Sequence, residues 1–84
     1  MIGYVRTLVL DALAFLELSG DEVVDPDAAV GLTESIAATL KALAPAERQE
    51  FIDFVEAQAQ AAANRNDVRV SRFLHSLPDA LGLS

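Results

Sequence analysis

Residues 1–18 read MIGYVRTLVLDALAFLEL, with Arg6, Asp11 and Glu17 as the only charges. The stretch has three readings: a secretion signal, a membrane span, or a helix in a folded core. A span needs about 20 mostly apolar residues. Here Asp11 stands near the middle, and a central acid costs roughly 2.5–3.5 kcal/mol on the insertion scale. A signal peptide wants an early positive charge, an unbroken apolar run and a small-residue cleavage site. Arg6 comes late, Asp11 interrupts the run, and Leu18-Ser19-Gly20 leads into acids. The core-helix reading fits better. Ile2, Val5, Val9, Leu13 and Leu16 recur at spacings of three and four, so they share one face and should be core. Ser19-Gly20 should end the helix, with Gly20 in the left-handed conformation.

The opposite side of this helix is apolar too. Tyr4, Leu8 and Phe15 lie on a second line (i, i+4, i+11), with Asp11 among them. A helix that is apolar nearly all round is normally buried on more than one side. Tyr4, Leu8 and Phe15 should therefore be covered by the C-terminal tail or offered to a partner.

The rest of the chain reads as further helices. Asp21, Glu22, Asp25 and Asp27 crowd the next loop, but calcium spacing is missing. Counted from Asp21, the sixth residue is Pro26 and the twelfth Leu32, where an EF-hand needs glycine and glutamate. These acids suit a solvated loop that feeds a helix N-terminus. Asp25 can cap that helix and Pro26 fits its first turn. It should run over 26–43 with Ala29, Leu32, Ile36, Leu40 and Leu43 inward. Its other side carries Gly31, Ser35, Ala38 and Ala42. Such small residues let another backbone approach closely, or simply favour an exposed helix.

Ala44-Pro45 breaks this helix and starts a third, over 45–63, and the short link suggests an antiparallel hairpin with its predecessor. Phe51, Ile52, Phe54, Val55, Ala59 and Ala62 form its apolar face. Asn64-Arg65-Asn66-Asp67 reads as an Asn C-cap followed by an Asp N-cap. A short fourth helix over 67–77 turns Val70, Phe73, Leu74 and Leu77 inward, with Arg65, Arg69 and Arg72 along another side. Pro78 should end it and leave a tail in which Leu81 and Leu83 can dock. The expected architecture is all-α: one domain over 1–84, a small bundle of three main helices plus a short fourth and a C-terminal tail.

Composition narrows the function. At 52% hydrophobic, the 84 residues can fold. The absence of cysteine removes disulfides, thiolate chemistry and Cys-type zinc sites, and fits a cytoplasmic protein. A net charge of −7 argues against nucleic acid and against anionic membranes as partners. His75 is the one histidine, and its neighbour Ser76 points about 100° away on a helix. No Glu-x-x-His, nucleophile elbow or Gly-rich phosphate loop is present. The expectation is therefore no enzyme, no metal and no cofactor. The Arg65/Arg69/Arg72 line is read as meeting acids of neighbouring helices or of a second subunit rather than a phosphate.

Two functional expectations follow. The first is a non-enzymatic interaction module that self-associates through Tyr4, Leu8 and Phe15, with the Gly31/Ser35/Ala38 face as a second contact. The alternative is an acidic inhibitor of the immunity-protein or antitoxin type, covering a basic partner.

Overall fold

The computed structural model describes residues 3–20 and 22–83. The chain is all-α: α1 (Gly3–Leu18), α2 (Pro26–Lys41), α3 (Pro45–Asn64) and α4 (Val68–Ala80), with no strand among the described residues. Ile2 and Asp21, given roles above, lie outside the described residues.

Local chemistry sets most of the helix ends. The Asp25 carboxylate accepts a hydrogen bond from the Ala28 N–H at 2.9 Å, and Pro26 occupies the first position of α2. That satisfies one of the N–H groups a helix start leaves unpaired. Pro45 opens α3 in the same way, without a side-chain cap from Ala44. α3 closes with Asn66 at φ 63°. Asp67 N–H then donates to the Ala62 carbonyl and Asn66 N–H to the Ala63 carbonyl, the paired bonds of a Schellman turn. Asp67 at once caps α4 by accepting from the Val70 N–H at 3.3 Å. One four-residue punctuation thus ends one helix and begins the next.

Two ends differ from the sequence expectation. Gly20 does not take the left-handed conformation; its carbonyl instead accepts from the Val23 and Val24 N–H groups, which folds the loop into a turn. Nor does Pro78 end α4, which continues to Ala80. Proline in the last turn forfeits a single bond, to the Leu74 carbonyl, and its ring is buried. The real stop is Gly82, at φ 73°. Its N–H donates to the Asp79 carbonyl at 3.0 Å, and the Leu83 N–H donates to the Pro78 carbonyl at 2.9 Å. This second Schellman turn drives Leu81 and Leu83 into the core. Gly82→Ala is therefore expected to cost about 1–2 kcal/mol in chemical denaturation, the strain of a side chain in left-handed backbone. The Lys41 side chain over Gly82 can swing aside, so strain dominates the loss. Gly20→Ala, with ordinary φ and open space, should be neutral or slightly stabilising.

The core gathers Leu10 and Leu13 of α1, Leu40 of α2, Phe51, Ile52, Val55 and Ala59 of α3, Leu74 and Leu77 of α4, and the tail leucines. α3 and α4 are the closest-packed pair. Ala59 and Ala62 of α3 and Ser71 of α4 are buried and small, which permits that approach. The expected α2–α3 hairpin does not form as a close pair, because α3 commits its small-residue face to α4. α1 and α2 run antiparallel: Leu16 shares a groove with Ala29, and Val9 shares another with Leu40.

Candidate interaction surface

α1 is rolled relative to its expected setting. Leu10 and Leu13 are buried, Val9 and Leu16 are half-buried, and Val5 is exposed. At 100° per residue this turns the inward face by about 60° from the expected line towards Arg6 and Leu10. The cause lies on α3. The Arg6 Nη1 donates to Glu50 Oε1 at 3.2 Å, and its guanidinium lies 4.6 Å from the centre of the Phe54 ring. Glu50 and Phe54 are one turn apart, so a single arginine can engage both. The ion pair is about a third exposed on each side, so it adds no more than about 1 kcal/mol. The ring contact adds about as much. Together they orient α1 more than they hold it. The α3 spacing Glu50-x-x-x-Phe54 was the sequence signal for this roll.

The consequence is a broad apolar face on the outside. Tyr4 is 69% exposed, Leu8 64% and Phe15 55%. They stand on the side of α1 opposite Leu10 and Leu13, and Val5 joins them. The tail does not cover them, since Leu81 and Leu83 are spent inside. Asp11, also exposed, lies on the same line. Scattered exposed leucines are ordinary, whereas Tyr4, Leu8 and Phe15 share one side of a single helix, interrupted there by Asp11.

Gly31, Ser35 and Ala38 are exposed as well. A methyl group built on Gly31 would meet nothing within 4 Å, so no helix of this chain packs against that face. Of the three, Ser35 is the one that stands beside α1. It borders an open apolar groove of about 210 Å³ with Val9, Ile36, Thr39 and Leu40. Leu32, expected in the core, is half exposed on the same side of α2, one turn from Ile36. It is left out because α1 and α2 touch along only part of their length. A second groove, of about 340 Å³, lies between the end of α1 and the start of α2, with Glu17 and Glu34 among its walls.

The arginine line divides. Arg69 donates from Nη2 to the Leu18 carbonyl, capping the last turn of α1 where a cation is favoured. It meets a helix end rather than the acids expected. Arg65 and Arg72 are exposed and pair with none of the described residues. His75 is exposed, and the Ser76 hydroxyl donates to the Phe73 carbonyl rather than facing it. Among the described residues no three acids or histidines gather to hold a metal ion, and no helix is long and apolar enough to cross a membrane. Comparison of the chain with known protein families, with curated proteins and with solved structures finds no match.

Proposed function

We propose that this small helical bundle is a non-enzymatic, cytoplasmic interaction module that self-associates through the outer face of α1. The observation that carries the reading is the stripe of Tyr4, Leu8 and Phe15, more than half exposed and widened by Val5. Its occupant in this reading is a second copy of the chain. Hiding such a stripe from water gains about 25 cal/mol per Å². The Gly31/Ser35/Ala38 face is a lesser contact. If that face is free, Gly31→Ala should raise stability by about 0.5–1 kcal/mol, the usual gain at a helical glycine with room for a methyl group. If it packs closely on another chain, the same change should weaken association instead. Thermal unfolding and light scattering on one variant read both.

A second reading, an immunity- or antitoxin-type inhibitor of a basic partner, is supported by the groove walled by Glu17 and Glu34 beside exposed Glu22 and Asp27. Salt separates the two readings. Copies that each carry −7 repel, so self-association should tighten as salt screens them. Binding of a basic partner should weaken over the same range. Light scattering between low and high salt is the test. A chain that stays monomeric at high salt and high micromolar concentration would sink the first reading.

A further inference from the structure

The net charge of this chain is not spread over it. Between Arg6 and Lys41 the sequence carries seven acids and no base. The rest of the chain, Arg6 and Lys41 included, carries six of each, so the whole −7 belongs to α1, α2 and the loop between them. Glu17 lies in the last turn of α1, Glu22 and Asp25 in the loop, and Asp27 and Glu34 on α2, all of them exposed. Charge of one sign gathered on one flank steers cationic partners to it.

Exposed acids are ordinarily no more than solvated, but these border a cleft. The groove of about 340 Å³ between the end of α1 and the start of α2 has Leu16, Val24, Ala29 and Val30 as apolar walls, with Glu17 and Glu34 beside them. Next to it is a smaller pocket of about 140 Å³, lined by Leu13, Phe73, Leu77 and Leu81. Glu17 and Thr33 line both, so the two join as one cleft with an apolar end and an acidic end. Neither Glu17 nor Glu34 pairs with a described residue. Arg69 reaches the same end of α1, but its bond goes to the Leu18 carbonyl. Glu17 stands about 200° round α1 from Phe15, so the cleft and the outer stripe are separate surfaces.

We propose that this cleft takes a segment of a basic protein partner in which a leucine-sized apolar residue adjoins an arginine or lysine. The proposal rests on the basic-partner reading and gives it a site and a sequence preference. The apolar residue enters the smaller pocket, which has room for one such side chain. The cation lies between Glu17 and Glu34, with its aliphatic stem along Leu16 and Val30. Charge-assisted bonds to a carboxylate are the strong ones, and a guanidinium can engage both oxygens of one. Both parts of the cleft are open to solvent on one side, so it suits a segment laid across it rather than a small molecule closed inside.

The test is methyl NMR of the labelled full chain, titrated with a helical peptide that carries leucine on one face and arginine on the other. The Leu13, Val30, Leu77 and Leu81 methyl groups should shift on binding, and those of Leu8 on the outer stripe should not. Glu17→Gln with Glu34→Gln should weaken binding at least tenfold while the melting curve stays in place. Glu47→Gln with Glu56→Gln, at exposed positions of α3, removes equal charge and should change affinity less than about threefold, because distant exposed charges are screened. If Leu8 shifts in place of the cleft methyl groups, or the α3 pair matters as much as Glu17 and Glu34, the cleft is overturned while attraction to a basic partner stands. If the peptide does not bind even at low salt, both fall.

Discussion

Phe15→Glu is expected to leave the chain folded and to dissociate it. Phe15 is 55% exposed and contributes nothing to the buried core. Glutamate is a good helix former, so unfolding free energy should move by less than about 0.5 kcal/mol. Association should suffer far more. A central aromatic at an interface typically accounts for about 2–4 kcal/mol, and each 1.4 kcal/mol is tenfold in affinity. The substitution also adds a charge to a surface that already carries Asp11. We expect the dissociation constant to rise at least about 30-fold, read by light scattering beside a denaturation curve. Loss of stability in dilute solution, where the unmodified chain is itself monomeric, would instead mean that Phe15 supports the fold.

Phe51→Ala is expected to have the reverse profile. Phe51 is 1% exposed and belongs to the cluster that joins all four helices and the tail. Emptying such a site costs about 3–5 kcal/mol, through lost transfer free energy and the cavity left behind. For a chain of 84 residues the whole stability is about 4–13 kcal/mol at the usual 0.05–0.15 kcal/mol per residue. The variant should thus melt more than about 12 °C lower, taking at least 4 °C per kcal/mol for a domain of this size. Differential scanning calorimetry gives the shift. A change of only a degree or two would mean that the core is centred elsewhere.

These two phenylalanines show what the sequence could and could not reveal. Periodicity places Phe51 on the apolar line of α3 and Phe15 on the second side of α1, but it does not say whether the tail covers Phe15. What the residues do encode locally came through. Asp25-Pro26, Ala44-Pro45 and Asp67 start helices at the expected places, because caps and proline act over three or four positions. The all-α class and the apolar second side of α1 were legible for the same reason, since periodicity is local. The misses are decided at a distance. The roll of α1 that exposes Val5 follows from Arg6 finding Glu50 and Phe54, some 44 residues away for the ion pair. Arg69 capping the end of α1 spans 51 residues. α3 pairs closely with α4 rather than α2 because Ala59, Ala62 and Ser71 allow closer approach. Pro78 stays helical because the Gly82 turn beyond it recovers the carbonyls and buries Leu83. Of the surface, Tyr4, Leu8 and Phe15 were legible as a group, whereas the groove beside Ser35 exists only once α1 and α2 are set against each other.

Sedimentation equilibrium on the unmodified protein, from low to high micromolar concentration, tests most directly whether the outer face of α1 takes another copy of this chain. The mass should climb from 9.0 kDa towards twice that value, while a Phe15→Glu chain should stay at the lower figure throughout. A mass fixed at 9.0 kDa at every concentration, the same with and without Phe15, would contradict such a contact.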